Sequence, residues 1–198
     1  MARTRAVDFE EKRRGILANA AAVFAKEGME KASMSMIASQ GGVSKALLYH
    51  YYQSKDALIF DIVRIHLTEL DAAIEAADKP DVAPHVRLRL LVKAVLRNYE
   101  GRDNEHQVQL MGTTALSESQ LAELQQIERQ IVKRFSSVIR EINPNLNKDR
   151  PLLMPVTMSL FGMMNWVYMW FRPNGPISRD EYADIATTLI LEGLKAVR

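Results

Sequence analysis

From Pro151 to Phe171 the chain reads PLLMPVTMSLFGMMNWVYMWF, a run without Asp, Glu, Lys or Arg. Such a run reaches the length of a membrane-spanning helix. Pro155, Thr157, Ser159, Gly162 and Asn165 break its apolar character, and the rest of the sequence holds no second run of this kind, so a bilayer span is disfavoured. A helix that is apolar all round must instead be covered all round. Helical spacing sorts it into two stripes, Leu153, Val156, Leu160, Met163 and Val167 on one side and Met154, Met158, Phe161, Asn165 and Tyr168 on the other. The fold therefore has to bring helices, or a second copy of the chain, against both sides.

The remainder of the sequence supplies helices almost everywhere and no convincing alternation of period two. FEEKRRGILANAAAVFAKEGM places Ile16, Ala20, Val23 and Phe24 on one face, with Gly28 as its stop. Ser33 caps a short second helix through Gln40, Gly41 and Gly42 turn the chain, Ser44 caps a third helix to Gln53, and Ser54 caps a fourth from Lys55 to about Ala77. Pro80 and Pro84 then break the chain, and ADKPDVAP at 77–84 is the candidate boundary between two regions. Further helices are expected from His85 to Gly101, from Asn104 to Leu116, and from the Ser117/Gln120 capping box to Ile142. The uncharged run makes the eighth, and SRDE at 178–181 opens the last. The expected class is all-α, with about nine helices: a three-helix N-terminal head carrying a helix-turn-helix, and a larger helical region after it.

The 198 residues and 47% hydrophobic content are ample for a core. No cysteine is present, which removes disulfides and thiolate metal sites, and MARTRAVDFEEKRRG has no apolar signal-peptide run, so a cytoplasmic protein is expected. Charge is unevenly spread. Residues 1–60 hold nine Lys/Arg against six Asp/Glu, whereas the rest holds seventeen against eighteen, and no acid lies between Glu30 and Asp56. An acid-free stretch in a chain one-quarter charged points to a polyanionic partner.

A short helix, a glycine turn and a second short helix opening at a capped serine form the helix-turn-helix arrangement, whose second helix enters the major groove of DNA. At about 100° per residue, with Leu48 inward, Ala46 and His50 point outward, Lys45 and Tyr49 lie on one flank and Leu47 on the other. Val43, Leu48 and Tyr52 face the core. A small Ala46 permits close approach, Lys45 reaches guanine acceptors or phosphate, and rings touch thymine methyls. The capped starts of helices three and four, at Ser44 and Ser54, offer N–H groups to anions. Arg3 and Arg5 stand where an arm could enter a minor groove, or be solvated.

IASQGGVSKALLYHYYQSKDAL, residues 37 to 58, resembles the DNA-binding signature of the TetR family of bacterial one-component repressors. Gly41 stands where alanine is usual and Tyr52 where phenylalanine is usual; both keep the size class. The resemblance implies double-stranded operator DNA as partner. It places Lys45, Ala46, Tyr49 and His50 at the bases and Tyr51 and Lys55 on phosphates, and Ser44, the cap of this helix, is counted with them in the DNA-binding set. It also implies a division into a DNA-binding domain over residues 1–54 and an effector-binding and dimerisation domain over 55–198, joined by the helix 55–77.

In that family the last two helices build a homodimer interface and the preceding helices enclose an effector cavity. The two stripes of the uncharged run suit this, as do Tyr182, Ile185, Ala186, Leu189, Gly193 and Val197 along the final helix. LFGMMNWVYMWFRPNGPIS is similar, less specifically, to TetR-type repressors of phenylacetate, fatty-acid or sterol breakdown, whose effectors are often acyl-CoA thioesters. Ten methionines agree with an adaptable apolar cavity. Met111, Phe135, Met158, Phe161, Asn165 and Trp166 are the candidate lining, each also readable as ordinary core. Asn165 is either a buried structural amide or, as expected here, a group that orients the ligand. Basic groups at 129, 133, 134, 140, 148 and 150 are available to a CoA phosphate, although such a run on a helix is ordinarily a solvated face.

Catalysis is not expected. His50, His66, His85 and His106 are scattered, and there is no H-E-x-x-H pair, nucleophile elbow, P-loop or dinucleotide fingerprint. No catalytic residue, metal ligand, cofactor or membrane contact is assigned. The alternatives are a regulator of an efflux pump responding to lipophilic drugs and a nonspecific architectural DNA binder; the long C-terminal helices speak against the second.

Overall fold

A computed structural model describes residues 2–197, with side chains from Phe9 onward. Every described element is helical: α1 (Ala2–Glu27), α2 (Met34–Gln40), α3 (Lys45–Tyr51), α4 (Lys55–Ala77), α5 (Pro84–Asn98), α6 (Asp103–Met111), α7 (Glu118–Ile142), α8 (Leu153–Asn165), α9 (Val167–Trp170) and α10 (Arg179–Ala196), with single 3-10 turns at Thr113–Ala115 and Pro144–Asn147. The nine expected helices are all present, and the eighth is interrupted at Trp166 to give α8 and the one-turn α9. No helix among the described residues is long and apolar enough to cross a membrane.

The local signals work as the residue chemistry demands. Gly28 ends α1 with φ +81, a left-handed conformation that L side chains rarely adopt, and its N–H bonds the Phe24 carbonyl at 2.9 Å. Ser117 and Gln120 cap each other at the start of α7, and Ser178 and Glu181 do so at α10. Pro84 stands at the first position of α5, where its missing N–H costs nothing.

Several bounds differ from expectation. α1 begins at Ala2, so the stretch read as an arm is continuous with the helix; the side chains of Arg3 and Arg5 lie outside the described residues. α6 stops at Met111, and its C-cap Gly112 sits against the Val108 carbonyl and the Ile59 side chain, leaving no room for a Cβ. α3 ends at Tyr51, with Tyr52 as its C-cap.

The chain divides into two compact units, Met1–Leu67 with Arg102–Leu124, and Thr68–Gly101 with Gln125–Arg198. In the first, α1 packs on α2 and α6, and Ile16, Ala20, Phe24, Ile37, Leu48, Leu58 and Ile62 form the core. In the second, α5 and α8 pack on α10 around Leu88, Leu91, Val95, Phe135, Ile139, Leu160 and Met164. α5 and α10 are further tied at their surface, where Arg89 and Lys93 pair with Asp184 and Arg97 pairs with Asp180.

Candidate nucleic-acid interface and effector region

In the first unit, Ser33 Oγ accepts the Met36 N–H at 3.2 Å to start α2, and Ser44 Oγ accepts the Leu47 N–H at 3.1 Å to start α3. Between them Gly42 turns the chain with φ +61. The helix-turn-helix is therefore built from three local signals, a serine cap, a glycine and a second serine cap. Leu48 is fully buried and Tyr52 nearly so, which points the opposite face of α3 at solvent. Ser44, Lys45, Ala46, Tyr49 and His50 are all exposed on it, with Tyr49 44% exposed.

Tyr51 is half-buried, because its ring stacks on Phe9 of α1 at 4.7 Å between centroids and meets His50 edge-on at 5.6 Å. Lys55 is held rather than splayed. Its Nζ donates to the Met29 carbonyl at 2.9 Å and the Glu30 carbonyl at 3.3 Å, clamping the α1–α2 loop. An ammonium has three donors, so this clamp leaves one for a phosphate.

Beneath α3 lies a polar cluster that the sequence did not announce. Tyr52 Oη donates to Asp61 Oδ2 at 2.8 Å and accepts from Arg13 Nε at 3.0 Å, while Arg13 Nη2 reaches Asp61 at 2.5 Å and Arg64 Nη2 reaches its other oxygen at 2.6 Å. Burial by itself would raise the Asp61 carboxyl, but the hydrogen bonds from Arg13, Arg64 and Tyr52 outweigh it and hold it below the ordinary carboxylate range. Burial and the Asp61 carboxylate push the Tyr52 phenol upward, so it stays protonated and donating. Only the i,i+3 spacing of Asp61 and Arg64 hinted at this; Arg13 comes from far along the chain.

His66 and His106 form a second buried pair, 5.7 Å between ring centroids. Burial, with His106 and Arg102 nearby, lowers His66 to about 3.

Of the six effector candidates, Met111 belongs to the first unit and the other five to the second. Phe135 and Phe161 meet edge to face at 5.0 Å inside the second unit, both buried. Asn165 is half-buried, its Oδ1 accepting from the buried Tyr99 hydroxyl at 3.0 Å. Met158 and Trp166 face outward, Trp166 being 58% exposed, and Met111 is an exposed residue of the first unit. The phase of α8 differs from the two stripes expected: Thr157, Leu160, Phe161 and Met164 are inward, while Met154, Met158, Gly162 and Trp166 are outward. Thr157 is tolerated inside because its hydroxyl donates to the Leu153 carbonyl at 2.8 Å. On α10, Ala183, Ala186, Thr187 and Leu194 are inward, with Ile185, Leu189 and Gly193 outward.

Among the basic residues of this region, Arg134 is committed to Asp71 and Asp78, both at 3.6 Å, and Asp78 is bound more closely by Arg87 at 2.5 Å. Arg129, Lys133, Arg140, Lys148 and Arg150 are exposed.

Comparison with known proteins agrees with this construction. Residues 16–62 match the family described as "Bacterial regulatory proteins, tetR family", and residues 81–194 match "Tetracyclin repressor-like, C-terminal domain". The chain belongs to the TetR family of transcriptional regulators. It is 25% identical over 194 residues to the HTH-type transcriptional repressor KstR2 of Mycobacterium tuberculosis, covering 92% of each chain. A TetR-family transcriptional regulator from Bordetella parapertussis superposes with a TM-score of 0.87 at 31% identity, covering 96% of this chain and 98% of that one. AibR, whose structure was determined in complex with isovaleryl coenzyme A and operator DNA, superposes with a TM-score of 0.76 at 24% identity over 89% of this chain and 96% of its own.

Proposed function

We propose that the protein is an operator-binding repressor, active as a homodimer and released from DNA by a small apolar or acyl-CoA-type effector. The observation that carries the reading is the outer face of α3: Lys45, Ala46, Tyr49 and His50 exposed together on a capped helix, within a stretch free of acids. Small, basic and aromatic groups on one helical face are what a major groove accepts. Residues 1–54 act as the DNA-binding part and 55–198 as the effector and dimerisation part, with α4 as connector.

Dimerisation is supported by the outward faces of α8 and α10. Met154, Met158, Trp166, Ile185 and Leu189 are exposed there, Leu189 at 60%. Gly162 and Gly193 lie on the same faces inside their helices, with open space where a Cβ would stand. A glycine inside an exposed helix costs about 1 kcal/mol relative to alanine, an expense that a closely approaching second helix explains. Two heads so joined can read half-sites of a palindrome in successive major grooves.

For the effector, support is indirect. Phe135, Phe161 and their neighbours give an apolar interior, and the same fold holds isovaleryl coenzyme A in AibR. The test is selection of duplex DNA from a random library with the purified full-length protein, and then titration of the enriched duplex complex with short-chain, aryl and steroid-derived acyl-CoA esters, the free acids, and lipophilic cations. Release by a thioester but not by its free acid supports the reading; release by cations alone selects the drug-responsive alternative, and binding without any sequence preference sinks it.

A further inference from the structure

α3 has seven residues and a single fully buried side chain, Leu48; besides it, only the half-buried Leu47 and Tyr51, the latter stacked on Phe9, pack the helix down. A helix this short is not stable by itself. Its C-cap is Tyr52, whose backbone N–H closes the last turn on the Leu48 carbonyl at 2.9 Å and whose side chain is buried. The Tyr52 hydroxyl reaches the junction of α1 and α4. It sits between a donor, Arg13 Nε at 3.0 Å, and an acceptor, Asp61 Oδ2 at 2.8 Å. Asp61 is in turn gripped on both oxygens, by Arg13 at 2.5 Å and by Arg64 at 2.6 Å, and its side chain is only 14% exposed. Partly buried, charge-assisted bonds of this kind are directional and stronger than neutral ones. A phenylalanine would fill the same apolar space, so packing does not call for the oxygen.

We propose that Tyr52 is a positioning residue for DNA reading: its hydroxyl, clasped between Arg13 of α1 and Asp61 of α4, sets the pose of α3 and couples it to α4. The inference rests on α3 being the recognition helix. Tyr49 and His50, the outward groups of its last turn, lie three and two residues from the clasp, so a roll of that turn displaces them first. Asp61 rides on α4, and any shift of α4 along or about its axis moves the acceptor. Tyr52 passes that movement to the end of α3. The hydroxyl therefore contributes to discrimination between sequences rather than to DNA affinity in general, and it gives α4 a direct hold on the reading face.

The experiment compares the full-length wild type with Tyr52→Phe on a duplex enriched from a random library by the wild type, on a scrambled duplex of equal length, and in thermal unfolding. Amide hydrogen exchange is measured in parallel. The variant is expected to melt within a few degrees of wild type and to bind the scrambled duplex within twofold. It should bind the enriched duplex about five- to tenfold more weakly, within the net worth of a single hydrogen bond. Amides of residues 48–52 should exchange several-fold faster while those of residues 20–24 are unchanged. Enriched-duplex binding within twofold of wild type overturns the proposal, as does a parallel fall of both affinities with the melting temperature, which would make the hydroxyl a simple prop of the fold. A wild type that enriches no sequence refutes the recognition-helix reading itself, and the proposal with it.

Discussion

The Tyr99 hydroxyl donates to Asn165 Oδ1 at 3.0 Å, joining the end of α5 to the end of α8 within one unit. Tyr99 is buried, and burial raises its phenol well above the ordinary value, so it remains a donor at any pH the protein meets. This gives Asn165, the one strongly polar side chain of α8, a structural partner beside the ligand-orienting role expected for it. Asn165→Leu and Tyr99→Phe are each expected to lower stability, and a double-mutant cycle should return a coupling of about 0.5–1.5 kcal/mol, the net worth of one hydrogen bond. Coupling indistinguishable from zero in urea unfolding, with effector sensitivity alone reduced, would leave Asn165 the ligand role alone.

In the structure Lys55 clamps the α1–α2 loop, a task beyond the phosphate contact expected of it. Lys55→Ala removes the clamp on the Met29 and Glu30 carbonyls and is expected to cost about 1 kcal/mol of stability. If the third donor meets a phosphate in the complex, the same change weakens all DNA alike and lowers the slope of log affinity against log salt by about 0.9. Lys45→Ala, on the exposed flank of α3, should alter sequence preference as well. Quantitative binding at several salt concentrations separates the two; a Lys55→Ala variant with changed base preference and an unchanged salt slope contradicts the division.

The outward stripe of α8 and α10 predicts a dimer at micromolar concentration. Gly193→Arg places a long charged side chain on that stripe beside Leu189, where a Cβ alone would meet nothing within the chain. The variant should therefore fold with a melting temperature near wild type yet run as a monomer, and lose affinity for a palindromic duplex while keeping weak half-site binding. Analytical ultracentrifugation decides it: a monomeric wild type ends the idea.

His66 makes the first unit sensitive to acid. Burial lowers it to about 3, against 6.5 in an unfolded chain, so between these values the unfolded state binds the extra proton. Stability is then fully present above about pH 6.5 and is lost as pH falls toward 3, by up to roughly 1.4 kcal/mol per unit from this group. His66→Gln should flatten the pH dependence of unfolding between about pH 6 and 4. An unchanged slope would assign the acid sensitivity to other groups.

Much of the head was legible because its signals are local. Ser33, Gly42, Ser44 and Ser54 act on backbone within three residues of themselves, and the helical period relating Leu48 and Tyr52 assigns the outer face of α3 without knowledge of a neighbour. The acid-free stretch told the sign of the partner. The C-terminal region was legible in kind: an uncharged helix had to be covered on two sides, and the structure leaves Met154, Met158 and Trp166 uncovered on one side in the single chain.

What the sequence by itself determined is thus the all-helical class, the helix-turn-helix and the face of α3 turned to solvent, since each arises from interactions within one turn of helix. Tertiary structure decided the rest. When every side of α8 is apolar, periodicity cannot choose an inward direction, so Thr157 and Phe161 turned inside where packing against Phe135 and its neighbours left room. The Lys55 clamp, the Tyr99–Asn165 bond and the Arg13–Tyr52–Asp61 clasp join residues 9 to 66 positions apart. Such contacts depend on where helices cross, which is set by the summed packing of many side chains and leaves no trace in the spacing of any few.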